Sequence, residues 1–94
     1  MDTWKHPGEK LIELGPSTLS DEELLTILIG SGCRGKSAKD IAKELLNNYY
    51  SIVGLMGKKL RDLAKIKGLK DVKVVRIAVA FEIARRVVKE LEKE

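Results

Sequence analysis

The stretch LAKIKGLKDVKV, Leu63 to Val74, spaces apolar residues helically on both sides of one glycine and crowds lysines around it. Leu63, Ala64 and Ile66 carry one helical pattern, Gly68 permits a tight left-handed turn, and Val72 and Val74 open a second pattern. This is the grammar of a helix-hairpin-helix. Amides freed at the start of the second helix would face a phosphate oxygen, Lys67 and Gly68 would form the turn, and Lys70, Lys73 and Arg76 would add positive charge. One residue departs from the pattern: where a second glycine usually stands two positions after the first, this chain has Lys70. Either the turn takes another shape, or Lys70 adopts a left-handed conformation at a cost of about 1 kcal/mol. The competing reading is a helical turn whose lysines are merely solvated.

Outward from the hairpin, the remaining sequence is also helical. Pro7 suits a first helical turn and Gly15 a stop, bracketing Leu11, Ile12 and Leu14, and Pro16 bars continuation. Ser20-Asp21-Glu22-Glu23 reads as a capping box for a helix carrying Leu24, Leu25, Ile27, Leu28 and Ile29 and ending at Gly30. Ser37 caps a third helix with Ala38, Ile41, Ala42, Leu45 and Leu46, whose end is expected at Asn47 and Asn48. Two short helices are expected next, one over Ile52 to Met56 and one carrying Leu60, Leu63, Ala64 and Ile66. The last segment, Val72 to about Lys93, aligns Val74, Ile77, Ala78, Phe81, Ala84, Val88 and Leu91 and reads as the longest helix. The β-branched run Val72 to Ile77 leaves a strand as the alternative there, although no partner strand is evident. Tyr49 and Tyr50 are expected in the core, and Trp4 sits in a terminal segment expected to be loose. The fold class is therefore all-α: one small domain spanning residues 1–94, with five to six short helices including a helix-hairpin-helix unit.

Composition narrows the function classes. With 94 residues the chain has room for one modest core and no layered sheet. The longest apolar run, Ile77 to Phe81, falls far short of the roughly 20 residues that cross a bilayer. No basic-then-apolar leader is evident, so a cytoplasmic location without membrane attachment is expected. Cys33 is the single cysteine and His6 the single histidine, too few for an intrachain disulfide or a structural zinc site, and no metal or cofactor is expected. The net charge of +4 is concentrated in one segment. From Lys58 to Arg76 eight basic residues face only Asp62 and Asp71, a net of +6, whereas residues 1–57 carry −2 and residues 77–94 are neutral. A polyanion is the partner such a segment suits.

Gly30-Ser31-Gly32-Cys33-Arg34-Gly35-Lys36-Ser37 matches the phosphate-loop pattern G-x-x-x-x-G-K-S. A working phosphate loop follows a buried parallel strand, and its magnesium takes a carboxylate from another strand. Here the Ser20 capping box assigns the preceding residues to a helix, and no later apolar run ends in aspartate. Nucleotide hydrolysis through Lys36 is accordingly the minor reading, and a glycine-rich interhelical loop is the plain one. Between them lies a third: Arg34, Gly35 and Lys36, at the start of the third helix, hold a phosphate of nucleic acid.

Three further blocks carry a family resemblance: Pro7-Gly8-Glu9-Lys10-Leu11-Ile12-Glu13-Leu14-Gly15-Pro16, Leu19-Ser20-Asp21-Glu22-Glu23-Leu24-Leu25, and Gly32-Cys33-Arg34-Gly35-Lys36-Ser37-Ala38. With Ile66-Lys67-Gly68-Leu69, Lys73 and Ala84-Arg85-Arg86, the chain resembles the N-terminal region of the RadC family over residues 6–86. The resemblance implies a helical hairpin domain, an incidental phosphate-loop match and an association with DNA repair. In full-length members it also implies a C-terminal, metalloprotease-like half with a His-x-His and aspartate metal motif. Nothing in this chain corresponds to that half, so an isolated, non-catalytic domain is expected.

The leading expectation is a sequence-independent DNA-binding module that contacts phosphates through Lys67, Gly68, Lys70, Lys73 and Arg76, with Arg34, Gly35 and Lys36 extending the track. Its rival is a protein-interaction module that docks a partner or the absent C-terminal domain.

Overall fold

Serine side chains fix where three of the helices begin. In the computed structural model, which describes residues 6–70 and 72–93, the first helix, α1, spans Pro7–Leu14 and stops where the Gly15 amide donates to the Leu11 carbonyl at 2.8 Å. A single 3-10 turn, Pro16–Thr18, leads into α2, Asp21–Ile29. The expected capping box is present there: Ser20 Oγ accepts from the Glu23 amide at 3.1 Å, and the Glu23 carboxylate accepts from the Ser20 amide at 2.9 Å. A second capping box opens α3, Ala38–Tyr49, with Ser37 and Asp40 in the same reciprocal roles. Ser51 caps the short α4, Ile52–Leu55, by accepting from the Gly54 amide at 3.0 Å.

Three sequence expectations are corrected. Helix α3 runs past Asn47 and Asn48, and Tyr50 ends it with a left-handed φ of 72° and 90% exposure, so Tyr50 is no core residue. Tyr49 does pack against the core, half-buried. Helix α5 is only Leu60–Leu63; beyond it the chain tightens into turns, with Ile66 donating to Leu63 and Leu69 to Ile66 at 3.1 and 3.0 Å. The segment from Val72 is helical throughout as α6, Val72–Glu92, the longest helix as expected, and the strand alternative falls away. Trp4 and Asp71 lie outside the described residues.

The core draws on every helix from α2 onward. Leu25 and Ile29 of α2 meet Ile41, Ala42 and Leu45 of α3, and Leu55, Leu63, Ile66, Leu69, Val74 and Ile77 close around them. Each fully buried aliphatic side chain contributes about 1.5–3 kcal/mol over an exposed one, which is why this small set dominates the fold. Burial on α6 stops after its first turns: Val74 and Ile77 are buried and Phe81 half-buried, while residues 83–93 are exposed. The molecule is all-α, and among the described residues no helix is long and apolar enough to cross a membrane.

Candidate nucleic-acid interface

Two segments about 30 residues apart meet at the turn between α5 and α6. Gly68 has φ +89°, and a β-carbon there would fall 2.6 Å from Ile41 Cδ1 and 3.1 Å from Cys33 Sγ. The turn is thus pressed against α3 and the glycine-rich loop, a fit that glycine alone allows without strain. Leu69 is fully buried and anchors the turn, while Lys65, Lys67 and Lys70 stay exposed around it. Lys70 is spared the left-handed conformation, since Tyr50 is the one non-glycine residue with positive φ among those described. The turn therefore takes a different shape from the two-glycine hairpin.

The glycine-rich loop folds into its own small hairpin. Cys33 and Lys36 exchange backbone hydrogen bonds at 2.8 and 3.0 Å, and Gly32 lies so close beneath that a β-carbon would sit 2.1 Å from the Lys36 carbonyl oxygen. Two lysines then join this loop to the α5–α6 turn. Lys36 Nζ pairs with the Glu44 carboxylate and donates to the Lys67 carbonyl at 3.1 Å; Lys73 Nζ donates to the Gly32 carbonyl at 3.3 Å.

Between loop and turn lies an open depression of about 630 Å³ lined by Cys33, Arg34, Lys65, Lys67, Gly68, Lys70 and Lys73. Five of these seven side chains are basic and none is acidic. Asp62 pairs with Lys65 at 3.5 Å, but both partners are well exposed, and such a pair offsets little charge. Among the described residues, the amides of four lining residues, Arg34, Lys67, Gly68 and Lys70, have no hydrogen-bond partner.

The depression brings together Arg34, Lys67, Gly68, Lys70 and Lys73 of the residues named from sequence. Gly35 lies at the tip of the loop hairpin with φ +80° and open space around it, outside the lining. Lys36 is turned inward by Glu44, and Arg76 lies beside Gly30, where its Nη1 would be 3.2 Å from an added β-carbon. Lys65 and Cys33 line the depression but escape sequence reasoning. Lys65, three residues before Gly68, was open to discovery from spacing; Cys33 carries no signal of its kind. The residues of the phosphate-loop pattern follow helix α2 and not a strand.

The whole arrangement, two capped helices feeding a glycine loop and a lysine-rich turn, lies within the part of the chain that matches a known family. The family model described as "UPF0758 N-terminal" matches residues 1–75. The chain belongs to that family. It is similar to UPF0758 proteins of Pseudoalteromonas atlantica (40% identical over 82 residues, 87% of this chain and 37% of the relative) and Cupriavidus necator (41% over 86 residues, 92% and 38%). The UPF0758 protein of Neisseria gonorrhoeae is 42% identical over 86 residues, again 92% of this chain and 38% of the relative. The chain thus spans less than two-fifths of the length of these relatives. No solved structure matches it.

Proposed function

We propose that this UPF0758 N-terminal domain is a non-catalytic, sequence-independent DNA-binding module of a RadC-like protein, gripping phosphate backbone through the α5–α6 hairpin. The observation that carries this reading is the depression itself, where, among the described residues, five basic side chains and four unpartnered amides meet and no carboxylate is in the lining. Amides and ammonium groups of this kind contact phosphate and sugar edges, which are the same at every base pair, so the grip is indifferent to sequence. Lys67, Lys70 and Lys73 with Arg34 hold successive phosphates, Lys65 extends the positive wall, and Gly68 supplies the close approach. Arg76 and Lys36 contribute long-range charge and architecture without direct contact.

A salt titration with a short duplex tests it. Displacement of a few counterions requires log affinity to fall linearly with log salt at a slope of about −3 to −5. Replacing the exposed Lys65, Lys67 and Lys70 together by glutamate should abolish binding with the helical circular dichroism intact, whereas Arg76→Glu should weaken it only a few-fold. A flat salt response, or equal losses from both variants, would reject the assignment.

A further inference from the structure

Helix α6 is apolar on two opposite faces, and only one of them has a partner. Val74, Ile77 and Phe81 face the core, while Val79, Ile83 and Val87 lie on the far side, and Val75 and Leu91 continue their every-fourth-residue ridge onto opposite flanks, all five 51–62% exposed. Four of these five are β-branched, residues with little helix preference of their own, so propensity does not explain the row. A helix apolar on both faces ordinarily sits between two neighbours. Beside the row, Ile83, Arg86, Val87, Glu90 and Leu91 line a shallow, mostly apolar depression of about 450 Å³.

From this we infer that α6 pairs with α6 of a second copy of the chain, antiparallel, about a two-fold axis beside Ile83. The argument is self-complementarity. Running two copies in opposite directions about that point sets Ile83 against its own equivalent and Val79 against Val87, with Val75 and Leu91 at the rims. It also sets Arg76 of one copy against Glu90 of the other, opposite charges on each rim. Residues 77–94 carry no net charge, so neither self-repulsion nor attraction to a polyanion competes for this face. Side chains repeating every fourth residue form the ridge that packs at about −50°. Contact is therefore tightest at Ile83 and opens toward the rims, a small interface that gives a reversible dimer.

Sedimentation equilibrium on the full chain tests the pairing. Mass should rise with concentration from 10.5 kDa toward twice that value. Ile83→Glu, at an exposed position, should hold the chain monomeric with its helical signal unchanged. Arg76→Glu and Glu90→Arg should each weaken association about two- to fivefold, and combining them should restore it. A monomer persisting to about 1 mM, dimers indifferent to Ile83→Glu, or failure of the double reversal to recover association would overturn the inference. So would a chain that stays monomeric alone and binds instead, through Ile83, the remainder of a longer relative.

Discussion

Two residues with positive φ behave oppositely under substitution. At Gly68 an added methyl group meets both a left-handed backbone and the Ile41 side chain at 2.6 Å. Gly68→Ala should destabilise the fold by about 1–3 kcal/mol, read as a lower urea midpoint with unchanged slope. At Tyr50 the same backbone region is occupied by a bulky, 90% exposed side chain that packs against little. Tyr50→Gly should stabilise by about 0.5–1 kcal/mol, visible as a rise in the thermal midpoint. The first residue was legible in the sequence because glycine among lysines has few other uses. Tyr50 was not: hydrophobicity points it inward, and only the immediate start of α4 at Ser51 forces it to serve as the turn between two helices.

At the scale of helices, the caps are the readable part. Ser20→Ala and Ser37→Ala should each cost about 1 kcal/mol, since each hydroxyl accepts from an amide that has no helical partner. These caps also connect stability to pH. The Ser20 amide, and then Lys10, hold the Glu23 carboxyl below its ordinary range; the Ser37 amide does the same for Asp40. On α6, hydrogen bonds from Arg85 and Arg86 lower Glu82 from 4.5 to about 2. A carboxyl depressed in the folded state binds fewer protons than when unfolded, so its stabilisation is complete above the unfolded value and fades as pH falls through the folded one. Helical circular dichroism should therefore hold above about pH 5 and decline between roughly pH 4.5 and 2, and Glu82→Gln should remove part of that decline. The pattern Ser20 to Glu23 announced its box; the equivalent with Asp40 was equally present but rests on a shorter acid. The early end of α5 had no local signal, because it is set by Leu69 being drawn into the core beyond it.

For the molecule as a whole, charge placement was legible and partner choice was not. The excess between Lys58 and Arg76 forecast a positive surface, but position in the chain does not reveal which lysine turns inward. Lys36 finds Glu44 two turns along the next helix and the Lys67 carbonyl 31 positions away, contacts that exist only once the chain has closed. Lys36→Met should accordingly cost about 1–2 kcal/mol of stability, measured by chemical denaturation, and reduce duplex affinity mainly through that loss.

The clasp formed by Lys36 and Lys73 has an outcome for any anion held nearby. Because each wall of the hollow comes from a different half of the polypeptide and neither half closes it alone, occupancy requires global folding. An anion seated there resists unfolding of the entire chain, and melting temperature becomes a direct gauge of saturation.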